Sequence, residues 1–238
     1  MSPLAFAVAA ALGNVLGALA VVRHIRRGLR FIDACLAFGA GFMMAVTMLG
    51  MLPVVVGESP DAAIFVLLGY FAVHLAQHVF TSHFHFGEET HRLSASAGMS
   101  ALLGLTLHTF FDGVAIASGF LVSQQLGLLL FLAVLLHKLP EGVTIASVIV
   151  AGGQSRRQAL GGAAVLGAAT ILGVLLTEHV AALSRHGLAI SAGVTLYVAA
   201  SNLVPEFQAK RGWLTASAFF GGAAGYFVTE RLLAGMVT

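Results

Sequence analysis

Two short stretches of the chain each place a histidine four residues before a carboxylate. His108 precedes Asp112 in one stretch, and His137 precedes Glu141 in the other. Side chains four residues apart lie on one face of an α-helix, about one turn apart. A neutral imidazole and a carboxylate suit Zn²⁺ or a similar borderline ion, so two such pairs on facing helices would supply four ligands. The carboxylates would also offset the charge of the ion in a medium that cannot solvate it.

The composition places these stretches in a membrane protein. Of the 238 residues, 58% are hydrophobic and 9% are charged, and the mean hydropathy is +0.95. A soluble globular domain has about a quarter charged residues, so lipid must be the solvent for most of this surface. The single cysteine, Cys35, excludes a multi-thiolate metal site. The net charge of +2 and the scattered arginines argue against nucleic-acid binding.

The chain divides into apolar runs that are long enough to cross a bilayer as helices. Helices are required because unpaired backbone groups are costly in lipid. We predict an all-α membrane protein, a bundle of eight transmembrane helices in one domain over residues 1–238, with its first run retained rather than cleaved as a signal peptide. The predicted spans are Leu4–Val22, Ile32–Val56, Ala62–Phe80, Gly98–Val122, Leu126–Ala151, Ala159–Ala182, Leu188–Gln208 and Leu214–Leu233.

Basic residues predict the orientation of the spans. The loops that follow odd-numbered spans hold nine lysines and arginines, whereas only Arg185 and Arg231 lie on the other side. This bias places the odd loops in the cytosol and both termini outside. The longest polar break, residues 81–96, is then a short cytosolic loop that contains His83 and His85.

Both histidine–carboxylate stretches fall near the middle of predicted spans four and five. An ionisable group at that depth is costly and by default marks a pathway or a paired site. Residues 108–118 align without a gap with residues 137–147, and six of eleven positions are identical. Because the two spans run in opposite directions, this pattern is typical of an inverted repeat around a midplane site. The alternative is two buried contacts that only hold helices together, and their duplication at mid-depth makes that role less favoured.

Pro140 is a second signal in the fifth span. It cannot donate a backbone hydrogen bond, so the carbonyl of Leu136 loses its usual partner. A helix with freed carbonyls is tolerated in a membrane where it lines a cavity.

The two stretches resemble the motifs of the ZIP family of metal-ion transporters (Zrt/Irt-like proteins). The fourth helix of that family typically reads His-Asn-x-x-Asp/Glu-Gly and the fifth His/Gln-x-x-Pro-Glu-Gly, as in His108–Gly113 and His137–Gly142. Eight spans, outside termini and a histidine-bearing cytosolic loop also match. The resemblance implies four metal ligands, which are His108, Asp112, His137 and Glu141.

The resemblance also implies a function. It points to transport of a divalent transition metal, above all Zn²⁺, into the cytosol, with Fe²⁺, Mn²⁺ and Cd²⁺ as further candidate substrates. The expected mechanism is alternating access. The expected partners are metal ions and the lipid bilayer, with a homodimer left open, and we assume a bacterial inner membrane.

The residue after each histidine departs from the family pattern. Some family members hold a second metal with these residues, which are Thr109 and Lys138 here. An ammonium has no lone pair for a metal and repels a second cation. We therefore predict a single-metal site, with the charge of Lys138 in the place of the second ion. A salt bridge from Lys138 to Asp112 or Glu141 is the structural alternative and is compatible with this prediction.

Further polar residues are weaker candidates along the path. Near the outer side, Glu178 and His179 are candidates for first contact with the ion, although adjacent helical residues point about 100° apart and chelate poorly. For every weaker candidate, packing or a solvated helix end is the alternative. Toward the cytosol, exit or regulatory metal contacts are predicted for His74, His78, His83, His85, Asn202 and Glu206.

Two other functions stay open from the residues alone. An intramembrane zinc hydrolase would hold a catalytic zinc with the same ligands. The chain has no His-Glu-x-x-His element and no obvious nucleophile, so we expect no enzyme. A proton-coupled carrier of organic substrates lacks a sugar- or amine-binding pattern. Metal exchange separates these functions, because a transporter must release its ion and an enzyme retains it.

Overall fold

The computed structural model describes residues 2–23, 29–59, 61–80, 95–205 and 212–237, and within these ranges the chain is helical, with no β-strand. Two π-helical segments, π1 (Val46–Met51) and π2 (Val198–Leu203), follow the second and eighth α-helices. The α-helices are α1 (Pro3–Val22), α2 (Leu29–Ala45), α3 (Leu52–Glu58), α4 (Ala62–Phe80), α5 (Ala95–Val122), α6 (Gln124–Ala151), α7 (Arg156–His179), α8 (Ala181–Tyr197) and α9 (Trp213–Val237).

Six helices of the described ranges are long and apolar enough to cross a membrane, and they coincide with the first six predicted spans to within a few residues. The helices α8 and α9 are not among them, so the eight-span count stays a prediction. The six are Pro3–Val22, Asp33–Gly57, Ala62–Val79, Leu102–Val122, Gln124–Val150 and Arg156–His179.

The helix α7 begins at Arg156, three residues before the predicted span. Ser155 and Gln158 form a capping box, in which each side chain accepts a hydrogen bond from the backbone N–H of the other residue. This arrangement satisfies two backbone donors that the first turn of a helix leaves unpaired. The polar cap, rather than the start of the apolar run, sets the beginning of the helix.

A single residue, Ser123, separates α5 from α6. Its backbone is extended, and its hydroxyl accepts a hydrogen bond from the Leu126 N–H at the start of α6. Such an N-cap stabilises the helix by about 1 kcal/mol. A connection this short makes the two helices antiparallel neighbours, and it brings the two histidine–carboxylate stretches side by side.

Helix backbones approach one another most closely at paired glycines. At each of four crossings, a Cβ on either glycine would overlap the carbonyl of the residue three positions before the partner glycine. Small residues permit this close approach in membrane bundles. The pairs are Gly17 with Gly142, Gly113 with Gly173, Gly41 with Gly222, and Gly69 with Gly193.

The helices that cross at glycines fall into two groups, one of four helices that all contact one another and one of two separate crossing pairs. In the first, which we call the site group, α1 crosses α6, α5 crosses α7, and Gly167 of α7 lies against Ala11 of α1. In the second, which we call the companion group, α2 crosses α9 and α4 crosses α8. The tightest glycine–carbonyl approaches of the described residues lie within the groups, whereas Gly187 of α8 meets α5 of the site group through the side chains of Ser118 and Val114.

Apolar clusters lie on both sides of the histidine–carboxylate stretches along the helix axes. One contains Leu105, Ile145 and Leu166, and the other contains Ile116 and Val134. A larger apolar cluster packs residues of both groups together. The stretches are therefore enclosed by apolar side chains, where charged groups have few alternatives to pairing with one another.

Candidate metal centre

The helices α5 and α6 bring all four predicted ligands together. His108 and Asp112 come from α5, His137 and Glu141 come from α6, and each is at most 8% exposed. One ligand atom from each of the four lies within 4.8 Å of the others. Two imidazoles and two carboxylates thus converge in the interior of the site group.

Asp112 is the point on which the other side chains converge. Its Oδ2 atom lies 3.3 Å from His108 Nε2, 3.2 Å from His137 Nε2 and 2.6 Å from Lys138 Nζ. The Lys138 ammonium also lies 2.6 Å from Glu141 Oε2. The predicted salt bridge of Lys138 therefore involves both carboxylates, and it bridges α5 and α6.

Thr109 completes the contacts of Glu141. Its hydroxyl lies 2.7 Å from Glu141 Oε1 and 2.7 Å from the Leu105 carbonyl oxygen. Because a hydroxyl has one proton and both neighbours accept, Thr109 shares that proton between them. The second carboxylate oxygen of Glu141 is thereby oriented by α5, although Glu141 itself belongs to α6.

The ring of His137 is oriented by its own helix. Its Nδ1 lies 2.9 Å from the Ala133 carbonyl oxygen, which only accepts, so Nδ1 donates. In the neutral imidazole, Nε2 then presents a lone pair toward Asp112 Oδ2. A bound cation stabilises a lone pair and a carboxylate oxygen that face each other, and a backbone bond to the far ring nitrogen is the usual way in which proteins orient a metal-binding histidine.

The ring of His108 has no such support. Its Nδ1 is buried and has no hydrogen-bond partner among the described residues. The two ring centroids lie 5.4 Å apart with an angle of 37° between their planes. His108 is therefore placed for the same ligand role as His137, but no hydrogen bond to its far ring nitrogen orients it within the described residues.

A cavity of about 30 Å³ adjoins three of the four ligands, which are His108, His137 and Glu141. It reaches from the site group to α2 and π2 of the companion group, and that volume has room for about two water molecules. The cavity therefore connects three of the ligands with the boundary between the groups. Its lining consists of Leu36, Leu105, His108, His137, Pro140, Glu141, Thr144, Val198, Asn202 and Leu203.

Pro140 lies on the cavity wall within α6, and the helix continues through it. The Leu136 carbonyl, which Pro140 deprives of its N–H partner, faces Gly39 of α2, where a Cβ would lie 3.6 Å from the carbonyl oxygen. The uncapped carbonyl thus lies at the boundary between the groups, beside the metal-binding stretch.

Of the weaker candidates that the structure describes, all except Asn202 lie away from the four ligands. Asn202, in π2, lines the cavity. His74 and His78 in α4 are exposed; their ring centroids lie 4.0 Å apart, and Nδ1 of His78 lies 2.8 Å from the His74 carbonyl oxygen. Glu178 and His179 are exposed at the end of α7. The remaining three, His83, His85 and Glu206, lie outside the described residues.

Asn14 of α1 is a buried polar residue that the sequence analysis did not identify. It is fully buried, and neither atom of its side-chain amide has a hydrogen-bond partner among the described residues. An unsatisfied buried polar group costs about 1–3 kcal/mol. A sequence signal existed, because Asn14 precedes Gly17 by three residues, within an otherwise apolar run, and small and polar residues mark helix contacts in membranes.

Comparison with known protein families identifies the family of this chain. The ZIP Zinc transporter family matches residues 87–230, a segment that contains α5 and α6 with both histidine–carboxylate stretches. A search of curated proteins found no match. Because the family match covers more than half of the 238 residues and six helices of the described ranges could cross a membrane, this chain is a multi-pass membrane protein that belongs to the ZIP zinc transporter family.

Proposed function

We propose that this protein carries a divalent transition metal ion, most of all Zn²⁺, into the cytosol by alternating access. The observation that carries the proposal is the convergence of four buried ligand atoms within 4.8 Å of one another between α5 and α6. The proposed ligands are His108, Asp112, His137 and Glu141. Fe²⁺, Mn²⁺ and Cd²⁺ are further substrates that the same donor set would accept.

The spacing of the donor atoms fits a zinc ion. In a tetrahedron with bonds of about 2.0 Å, two ligand atoms lie about 3.3 Å apart. Asp112 Oδ2 lies 3.3 Å from His108 Nε2 and 3.2 Å from His137 Nε2. Asp112 therefore already lies at the distance from each histidine that a tetrahedral zinc site requires, and the four ligand atoms together span no more than 4.8 Å.

The charge of the site favours one divalent ion. With neutral imidazoles, Asp112, Glu141 and the Lys138 ammonium sum to one negative charge, so a bound dication changes the total to one positive charge. Without Lys138 the empty site would hold two negative charges in an apolar interior, which is far more costly. We infer a single-metal site in which Lys138 occupies the place of a second ion and stabilises the empty carrier.

The two helix groups suggest which parts move. Within each group, glycine pairs bring helix backbones into contact, and the ligands, Thr109 and Lys138 all belong to the site group. The cavity lies at the boundary between the groups. We propose that the site group shifts against the companion group and exposes the ion to one side at a time. Packed groups of this kind move as units because their interiors do not deform continuously.

The topology belongs to the same proposal. Eight spans, with both termini outside the cytosol and the protein in a bacterial inner membrane, would place the Asn202 side of the cavity toward the cytosol. Asn202 would then be the first residue that the ion contacts as it leaves the site for the cytosol. Further contacts on that path would be His74, His78, His83, His85 and Glu206. Glu178 and His179 would lie at the outer surface.

The test is uptake of radioactive ⁶⁵Zn²⁺ into proteoliposomes that contain the purified chain. An inside-negative potential favours a dication by about 4.6 kcal/mol per 100 mV, so uptake should rise with the potential. The wild type should show saturable uptake, His137→Ala should abolish it, and His186→Ala should retain it, because His186 stacks on Phe65 in the companion group. Competition with Fe²⁺, Mn²⁺ and Cd²⁺ ranks the substrates.

Failure of the wild type to move zinc under any gradient would refute the transport proposal. If zinc were also bound stoichiometrically and exchanged slowly, an intramembrane zinc hydrolase would become the better assignment, because an enzyme retains its metal.

A further inference from the structure

Asn14 points into the interior of the site group. On α1, Gly17 faces α6 and Ala11 faces Gly167 of α7. At 100° per residue, Asn14 lies about 60° from each of these two positions. Its side chain is therefore directed between α6 and α7, into the same interior that holds the Lys138 ammonium.

The base of Lys138 lies directly against this part of α1. A Cβ on Gly13 would lie 3.0 Å from Lys138 Cβ, and a Cβ on Gly142 would overlap the Asn14 backbone. The flexible four-carbon stem of a lysine allows its ammonium to reach several positions. Asn14 thus lies one residue from the point where Lys138 leaves its helix.

Thr170 of α7 is the counterpart of Asn14, because α7 crosses α5 in the same way as α1 crosses α6. Each residue precedes a crossing glycine by three positions and presents its carbonyl to a motif glycine, Gly142 for Asn14 and Gly113 for Thr170. Thr170 directs its hydroxyl to the Leu166 carbonyl of its own helix, at 3.4 Å. Asn14 has no partner on its own helix or elsewhere in the described ranges, so its amide oxygen is available to a donor that arrives in another state.

Metal binding creates such a donor. Lys138 lies 2.6 Å from Asp112 Oδ2 and 2.6 Å from Glu141 Oε2, and an ion that binds through these two oxygens displaces the ammonium from at least one of them. The displaced ammonium is a buried cation beside another cation, and it requires a new acceptor. Asn14 offers an uncharged amide oxygen that does not compete for the metal's carboxylates.

We propose that Asn14 is a positioning residue that accepts the Lys138 ammonium when a metal ion takes the carboxylates of Asp112 and Glu141. This inference rests on the proposed metal site and adds a residue from α1 to it. Lys138 then alternates between two partners: the carboxylates in the empty carrier and the Asn14 amide in the loaded carrier. Asn14 lowers the cost of loading without touching the ion.

The test is a double-mutant cycle on zinc affinity, measured by competition with a chromophoric chelator on the purified full-length chain in detergent. Asn14→Leu should weaken binding of zinc to the wild-type site by about tenfold, the lower range for loss of a group that supports metal ligands. In a Lys138→Met background, the same change should alter the affinity by less than about twofold, because no ammonium needs the amide.

Two further variants keep the cycle decisive. Asn14→Thr copies the counterpart Thr170 and should weaken zinc binding as Asn14→Leu does, because the hydroxyl can bond to its own helix; it tests the role if Asn14→Leu does not fold. Thr170→Val is the matched control and should leave the zinc affinity unchanged.

The outcomes separate this role from the proposed function. If the wild type binds zinc and Asn14→Leu or Asn14→Thr weakens binding equally in both backgrounds, or not at all, Asn14 is a packing residue and only this inference is wrong. If the wild type binds no zinc, the metal site and the role of Asn14 are both wrong.

Discussion

In α5 the residue after the motif histidine is Thr109, whereas in α6 it is Lys138. Thr109 shares one proton between its own helix and Glu141, and Lys138 places a full positive charge between the two carboxylates. The two stretches supply matching ligands, but only the α6 stretch supplies the charge that offsets them. The ligands are thus repeated in both stretches, but the positive charge that offsets the carboxylates comes from α6 alone.

The histidines differ in the same way. His137 is held by the Ala133 carbonyl, whereas Nδ1 of His108 has no partner in the part of the chain that the structure describes. The glycines that follow also meet different helices, since Gly142 abuts Asn14 of α1 and Gly113 abuts Thr170 of α7. His137 is therefore the oriented histidine, and α6 also carries the charge that offsets the carboxylates, whereas the ring of His108 in α5 can reorient when an ion arrives. The four predictions below test this division, from the largest expected effect to the smallest.

Removing the charge of Asp112 should have the largest effect. Asp112→Asn removes the charged ligand that faces both histidines and leaves Lys138 with one carboxylate. We expect zinc affinity, measured by chelator competition, to fall by at least about 100-fold, the upper range for loss of a group that only supports a ligand, because Asp112 is a ligand itself. Asp61→Asn, in an exposed turn, should have no effect, and a tightly binding Asp112→Asn protein would remove Asp112 from the site.

The histidines should differ when each is replaced by alanine. His137→Ala removes a ligand whose ring is already oriented, whereas His108→Ala removes one whose ring must become ordered on binding. The entropy cost of this ordering offsets part of the binding free energy that His108 contributes. We expect His137→Ala to weaken zinc binding by about tenfold more than His108→Ala. Equal losses, measured by the same competition assay, would show that the Ala133 bond does not distinguish the two halves.

Thr109 tests whether α5 supports the ligand of α6. Thr109→Val keeps the shape of the side chain and removes the hydroxyl that lies 2.7 Å from Glu141 Oε1. We expect about a tenfold loss of zinc affinity, as for other groups that orient a ligand. Thr106→Val, which removes a hydroxyl bonded only to Leu102 one turn earlier, is the matched control. A loss of the same size in both variants would indicate a general packing effect.

Pro140 should have the smallest effect on binding. Pro140→Ala restores an N–H donor to the Leu136 carbonyl and supplies no ligand. We expect the zinc affinity to stay within about twofold, the thermal midpoint of unfolding to rise, and the rate of ⁶⁵Zn²⁺ uptake to fall. An unchanged uptake rate would mean that the freed carbonyl at the group boundary plays no part in the movement.

The sequence predicted the features that depend on local spacing. Four-residue spacing on a helix predicted that His108 lies beside Asp112, and the two side chains are 3.3 Å apart. The same spacing put His137 and Glu141 on one face of α6, but there His137 faces Asp112 and Glu141 contacts Lys138. The first six spans were predictable because lipid requires long apolar runs. In each of these cases the physical cause acts over one or two helical turns.

Other features depend on contacts that no local pattern reveals. The π-helical turns at Val46–Met51 and Val198–Leu203 arise in runs with ordinary helical composition. The bridging position of Lys138 requires the register of α5 against α6, and the isolation of the Asn14 amide requires the packing of α1 against α6 and α7. The start of α7 was misplaced because an apolar run does not include the polar cap that begins the helix.

The central claim is that one transported ion is held by two imidazoles and two carboxylates between α5 and α6. The most direct measurement is anomalous diffraction at the zinc edge from crystals of the zinc-loaded protein. We predict one strong peak in this site, about 2.0–2.2 Å from a donor atom of each of His108, Asp112, His137 and Glu141. A peak elsewhere, or a second peak in the position of the Lys138 ammonium, would contradict the account.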